Sequence, residues 1–271
     1  MSSSVYVVSA VRTPIGAYLG SLSALPAPLL GARAITGALE RARVSADAVD
    51  EVFMGNVLSA GLGQAPARQA ALRAGLPQRV PCTTVNKVCG SGLQAIVLGA
   101  RAILVGDAEI VVAGGMESMS NVPYYVPQAR TGYRLGDGKL IDGLLFDGLR
   151  DAYHEYPMGE AGELCARELR IGREEQDAFA AESYRRARTA SAAGAFAAEI
   201  VSVAIPQKRG GEVEQSVDEE PGRGDPSRFA DLKPAFRKDG TITAANASSI
   251  SDGASVVVLA SERAVRERGL E

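Results

Sequence analysis

Val85-Asn86-Lys87-Val88-Cys89-Gly90-Ser91-Gly92-Leu93-Gln94-Ala95-Ile96 decides how this chain folds. An extended run over 82–88 gives way to small residues, and an apolar helical pattern follows over 90–105. The stretch is a strand-to-helix junction with a cysteine at the turn. The same alternation continues on either side. Strands are predicted over 5–10 and 51–58, and helices over 29–44 and 66–74. The second of these helices opens on Pro66 and stops before Gly75, where proline suits a first turn and glycine a helix end. Residues 109–113 read as a buried strand closed by Gly114-Gly115. This is the pattern of an α/β layered domain with a largely buried sheet. The 90–105 helix is apolar nearly all round, so burial on most sides is expected.

Periodicity lapses after residue 118. Residues 119–153 are rich in Tyr, Pro and Gly, and helices resume over 158–169 and 173–193. The polar, charged stretch 206–228 reads as an exposed loop. A strand of buried type over 254–260 and a helix from 261 to 268 close the chain. The simplest organisation is a core domain of residues 1–118 and 246–271, interrupted by an inserted α-rich loop domain over 119–245.

Composition narrows the function classes. Apolar residues make up 46% and charged residues 23%, with a net charge of −3, so no basic field draws in nucleic acid. Aromatics are only 5% and tryptophan is absent, which argues against base-stacking platforms. Three cysteines suggest reduced thiols rather than a disulfide framework, and the N-terminus does not read as a targeting peptide. No apolar run is expected to reach the roughly 18 residues of a membrane span. These features together point to a soluble, cytoplasmic protein. No His/Cys cluster has metal-ligand spacing, so no metal is expected, and no phosphate-cradling loop is indicated.

Cys89 admits two readings. A cysteine at a helix start is well placed to be a thiolate nucleophile, because free amides there favour negative charge. The alternative is a small buried apolar residue. The neighbours favour the first: Gly90, Ser91 and Gly92 are poor helix formers that leave open space beside the sulfur. Cys82 and Cys165 are expected to be inert buried thiols. The chain has one histidine, His154, read as a partly exposed polar residue rather than a base. Tyr124, Tyr125 and Tyr133 are expected to pack the insertion.

The segment VNKVCGSGLQAI resembles the nucleophile segment of thiolases, the acyltransferases that act on coenzyme A thioesters. Four further segments are similar to that family in order and spacing: 8–16 (VSAVRTPIG), 63–71 (GQAPARQAA), 114–120 (GGMESMS), and Asn246-Ala247-Ser248 with Asp252-Gly253-Ala254. The resemblance spans residues 4–271. It implies a thiolase-like core domain with a mixed sheet, and an insertion that binds CoA. It also implies chemistry: Cys89 takes an acyl group from acyl-CoA, a second acetyl-CoA loses an α-proton and attacks, and 3-ketoacyl-CoA forms, with thiolysis as the reverse. Coenzyme A thioesters are then substrates, and no cofactor is needed.

By the same resemblance, Leu149, Met158, Arg223, Phe236, Ala244 and Ser248 fall where family members contact CoA. Arg223 reads equally well as a solvated charge, and Met158 and Phe236 as core residues. Many short-chain members carry His-Met where this chain has Pro157-Met158, and proline donates no hydrogen bond. The family's activating histidine and second cysteine belong to a C-terminal half whose motifs are absent from these residues. The 271 residues are therefore expected to be the N-terminal two-thirds of a thiolase and inactive alone, with a separate C-terminal half as the other way of completing them. The family's habit also implies a homodimer or homotetramer. Two other readings stay open: a ketoacyl synthase-like condensing enzyme, and a non-catalytic CoA-binding or assembly subunit.

Overall fold

The apolar run Ile110, Val111, Val112 and Ala113 lies within a six-stranded mixed sheet in the computed structural model, which describes residues 4–271. Residues 1–3, which the core-domain boundary includes, lie outside the described residues. In chain order the first elements are β1 (Val5–Arg12), β2 (Gly16–Ala17), α1 (Ala27–Ala42), β3 (Glu51–Gly55) and α2 (Pro66–Arg73). Then come β4 (Cys82–Val85), α3 (Ser91–Val105) and β5 (Ile110–Ser118). The hairpin β6 (Tyr124–Tyr125) and β7 (Ile141–Asp142) leads to α4 (Met158–Leu169) and α5 (Arg173–Ala192). Last are β8 (Val203–Pro206), β9 (Glu212–Gln215), α6 (Glu220–Arg223), β10 (Ser251–Ser261) and α7 (Glu262–Arg268).

Contacts divide the chain into two compact units. The first contains Met1–Val122, Ala198–Val217 and Ser251–Glu271; the second contains Pro123–Ala197 and Asp218–Ile250. The sheet of the first unit runs β1-β10-β5-β3-β4, with β2 also on β10. β10 is antiparallel to both β1 and β5, whereas β3 pairs parallel with β5 and β4. Side-chain alternation sends Val112, Val52, Met54 and Val256 into one cluster with Leu30 and Ile35 of α1. Val111, Ala113, Phe53 and Leu259 face the other way, against Ala95 and Ile103 of α3. Both faces of β5 are thus covered, which is why its sequence is continuously apolar.

Three expectations need correction. β5 does not close at Gly114-Gly115 but runs through them to Ser118, because β10 pairs with it along its whole length. Residues 206–228 are not simply a loop: they contain β9 and α6. The third concerns α3. The stretch Val88–Val105 does reach 18 residues, long and apolar enough to cross a membrane by length and composition. It lies with Ala95, Gly99 and Ile103 against the sheet, while Leu93 and Val105 are 69% and 72% exposed. Burial on one side only replaces the expected burial on most sides.

Residues 198–217 sit with the sheet, whereas the sequence reading has them in the insertion. Arg12 explains the placement. Its backbone N–H donates to Glu199 O at 2.9 Å, its carbonyl accepts from Val201 N at 2.9 Å, and its guanidinium pairs with Glu199 at 2.6 Å. Arg33 adds a bond to Ser202 O at 2.6 Å. The second unit has its own clamps. The buried Glu163 of α4 accepts from the backbone amides of Thr241 and Ile242, and Arg173 of α5 donates to the carbonyls of Phe229 and Leu232.

Candidate functional site

The turn between β4 and α3 is held in a conformation its sequence does not favour. Val88 has φ +47°, in the left-handed region that a β-branched residue rarely occupies. That conformation costs about 1–2 kcal/mol and must be compensated by its neighbours. Five hydrogen bonds do so. Val88 N–H donates to Asn86 Oδ1 at 3.0 Å, and Gly90 N–H to Lys87 O at 3.1 Å. Ser91 N–H donates to Val88 O at 3.0 Å. The Ser91 hydroxyl donates to Val88 O at 2.6 Å and accepts from Lys87 N–H at 2.8 Å. Ser91 itself is only 4% exposed, so this bridge is anchored inside the fold.

Cys89 follows Val88 and is exposed, as a free thiol. The reading of Cys89 as a buried structural residue therefore fails. Gly90 caps α3 without a side-chain hydrogen bond. Gly90 N–H and Ser91 N–H are taken by Lys87 O and Val88 O, so within the first turn of α3 it is the Gly92 and Leu93 N–H groups that have no partner in the preceding turn of helix. The first turn of α3 lies close on the sheet. A Cβ at Gly55 would stand 2.7 Å from Gly92 N, and one at Gly115 would stand 3.3 Å from Gly92 Cα. Glycine at these positions permits that approach.

The other two cysteines differ from each other. Cys82 is half-buried; burial pushes its thiol up, only partly opposed by Arg68. Cys165 is exposed, which corrects the expectation of a buried thiol. His154 is exposed on the second unit and pairs with Asp151 at 3.0 Å. Among the described residues no group of acids, cysteines and histidine could hold a metal ion.

The residues expected to meet CoA all lie in the second unit, in several groups. Arg223 and Ala244 line one cleft of about 290 Å³, with Tyr184, Arg228 and Phe229. Ser248 lines an adjoining cleft of about 290 Å³, with Asn246, Ser183 and Phe179; the two share Tyr184, Glu220 and Ala245. Arg188 holds this wall in place by donating to the carbonyls of Pro221 and Gly224. Burial and the neighbouring Glu220 push the Tyr184 phenol up, so it stays a neutral donor. Leu149 lies in a separate apolar cleft of about 300 Å³ with Leu145, Phe146 and Pro157. Met158 and Phe236 are 42% and 37% exposed, so neither is a core residue, and the Phe236 ring lies against Gly159. Tyr124 is 61% and Tyr133 is 39% exposed, so neither tyrosine is enclosed by packing. Tyr125 is half-buried and donates to Asp147, and with burial this holds its phenol at about 12.

Sequence reasoning missed Val88 and the Ser91 bridge. Asn86 was the available signal, since an asparagine two residues ahead turns the chain by accepting from the backbone.

Residues 5–263 match the thiolase N-terminal domain family. An acetyl-CoA acetyltransferase of Schizosaccharomyces pombe is 55% identical over all of this chain and 69% of its own length. An acetyl-CoA acetyltransferase of Cupriavidus necator is 53% identical over 98% of this chain and 68% of its own. A crystal structure of the Acat5 thiolase from Ascaris suum in complex with coenzyme A superposes with a TM-score of 0.92 at 45% identity. It covers 98% of this chain and 68% of that one. The match runs through the nucleophile turn and both units, and this chain belongs to the thiolase family.

Proposed function

We propose that this protein is an acetyl-CoA acetyltransferase in which Cys89 accepts the acyl group. The enzyme forms acetoacetyl-CoA from two acetyl-CoA, or cleaves it with CoA. The observation that carries the role of Cys89 is its place: an exposed thiol at a strained turn, beside the open first turn of α3. The Cys89 thiolate attacks the thioester carbonyl, the carbonyl oxygen gains charge near the α3 amides, and CoA leaves as its thiol with a proton. In the second half-reaction the α-carbanion of acetyl-CoA attacks the acyl-cysteine, and the Cys89 thiolate is released. The single histidine, His154, is exposed and paired with Asp151, and it is not read as the base. In this reading the proton transfers of the second half-reaction use groups outside these 271 residues, so the chain by itself stops at the acyl-enzyme.

Arg223, Ala244 and Ser248 form the CoA-facing set in this reading. The adjoining clefts that hold them, with Tyr184 between, support it. Leu149, Met158 and Phe236 belong to the pantetheine end. We also place the protein in the cytoplasm, where its three free thiols stay reduced, and in fatty acid metabolism. We read it as a homo-oligomer, supported by the exposed apolar face of α3 and the open edge of β4.

Incubation with acetyl-CoA, followed by intact mass and peptide mapping, tests the central claim. One acetyl group should appear, on the Cys89 peptide, and CoA should be released in equal amount. Cys89→Ala should show no adduct. Acetylation elsewhere, or none while Cys89 still alkylates with iodoacetamide, sinks the proposal.

A further inference from the structure

Glu117 takes no part in the steps above, yet donors enclose its carboxylate. Oε2 accepts from Val57 N–H at 2.9 Å and Oε1 from Asn56 Nδ2 at 2.7 Å. Both oxygens share the Leu58 N–H at 3.3 Å. Asn56 is 2% exposed, and its Nδ2 also donates to Met116 O at 3.2 Å. Its backbone N–H donates to Val85 O at 3.0 Å, at the end of β4. Gly55, one residue earlier, is the residue on which the first turn of α3 rests. Segment 55–58 therefore touches both the strand that enters the Val88–Cys89 turn and the helix that leaves it. Gly55 pairs with Gly115 and Asn56 with Met116, but residues 57 and 58 are tied to β5 by the Glu117 carboxylate.

We propose that Glu117 is a positioning residue for Cys89: by fixing the 56–58 turn it sets both ends of the nucleophile turn. This rests on the reading of Cys89 as the nucleophile, but not on the identity of the acyl donor. Asp252 is the charged group facing Glu117, and it is itself held by Ser120 through N–H at 2.9 Å and hydroxyl at 2.6 Å.

The proposal separates reactivity from stability. Burial pushes the Glu117 carboxyl up, the Val57, Leu58 and Asn56 donors oppose this, and Asp252 adds to the rise. A raised folded value means that the folded state holds this proton more tightly than the unfolded chain. Protonation of Glu117 as pH falls through that value therefore stabilises the fold, and the gain is absent at higher pH. The same protonation weakens the acceptors that hold the 56–58 turn, so Cys89 should lose reactivity. A residue that only supported the fold would leave the reactivity of Cys89 in folded protein unchanged.

The test is the rate of Cys89 alkylation by iodoacetamide, mapped to its peptide, between about pH 5 and pH 8. The scan starts just above the ordinary glutamate value of about 4.3 and runs upward, the direction in which the Glu117 carboxyl is raised. Glu117→Gln should alkylate about tenfold more slowly at pH 7, within the 10²-fold that a 1 Å misplacement can cost. In the wild type the rate should fall by more than one decade per pH unit where Glu117 takes up its proton; in Glu117→Gln the slope should stay at one. Superimposable profiles, at temperatures where both proteins are folded, overturn the proposal. If Glu117→Gln does not fold, the wild-type profile alone decides, and a unit slope throughout overturns it. Failure of acetyl-CoA to acylate wild-type Cys89 sinks the acyltransferase reading and leaves the alkylation result standing.

Discussion

Ser91→Ala should slow acetyl transfer from acetyl-CoA to Cys89 about 100-fold, the scale expected when a reacting atom moves by about 1 Å. The hydroxyl is the one side-chain group that grips both residues ahead of the cysteine, accepting from Lys87 N–H and donating to Val88 O. Without it, nothing but the Asn86 side chain and the backbone bonds of Gly90 and Ser91 oppose relaxation of Val88 from φ +47°. Relaxation releases about 1–2 kcal/mol at Val88, while the lost hydrogen bonds cost a similar amount, about 1 kcal/mol each. The two nearly cancel. The thermal midpoint should therefore move by only a few degrees while the single-turnover rate collapses. Quenched-flow measurement of the acetyl-enzyme gives the rate, and calorimetry gives the midpoint. A variant that loses stability but keeps its rate would show that strain at Val88 is incidental to catalysis.

That strain also marks the limit of what the sequence discloses. The apolar stretches 110–113 of β5 and 256–260 of β10 were legible because both faces are covered there, whereas the 114–118 end of β5 was not. The α2 helix was legible from Pro66 at its start. Val88 was not, because nothing in a valine's own preferences points to the left-handed region; the conformation is imposed by Asn86 and Ser91. The 198–217 hairpin was assigned to the insertion because the pair that fastens it, Arg12 with Glu199, joins residues 187 apart. Exposure of α3 was equally hidden. An apolar pattern records that a face avoids water, not what covers it, and Leu93, Leu104 and Val105 look the same in sequence whether or not a partner is present. Cys89 itself was legible as a candidate from its small neighbours. The exposed thiol then removed the buried reading. The residues proposed to face CoA came from resemblance alone, and the grouping of Arg223, Ala244 and Ser248 around Tyr184 emerged only once α5, α6 and the 244–249 segment were placed together.

Gly55→Ala and Gly99→Ala probe the same interface between α3 and the sheet, and they should behave oppositely. At Gly55 the new Cβ meets backbone: Gly92 N and Ser91 C at 2.7 Å, with Ser91 Cβ at 2.8 Å. Backbone cannot rotate away, so the first turn of α3 must lift from β3, at a cost of about 1–3 kcal/mol as in other overpacked cores. The lift moves Ser91, and with it the bridge that holds Val88. Acyl capture by Cys89 should fall by at least the roughly 100-fold given by a 1 Å displacement. At Gly99, two turns along the same helix, the new Cβ meets Val111 Cγ1 at 2.9 Å and Leu259 Cδ1 at 3.1 Å. These are side-chain methyls that can shift, and alanine also gains about 1 kcal/mol over glycine inside a helix. Gly99→Ala should therefore stay within about 1 kcal/mol of the wild type, on the same reasoning, and keep its acylation rate. Denaturant melts and the acetyl-enzyme rate, measured on both variants, decide the matter. If Gly99→Ala loses acylation as Gly55→Ala does, Cys89 depends on the seating of the whole helix rather than on its first turn. If Gly55→Ala keeps its rate, the close approach at Gly92 serves packing alone, and the chemistry of the turn rests on Ser91.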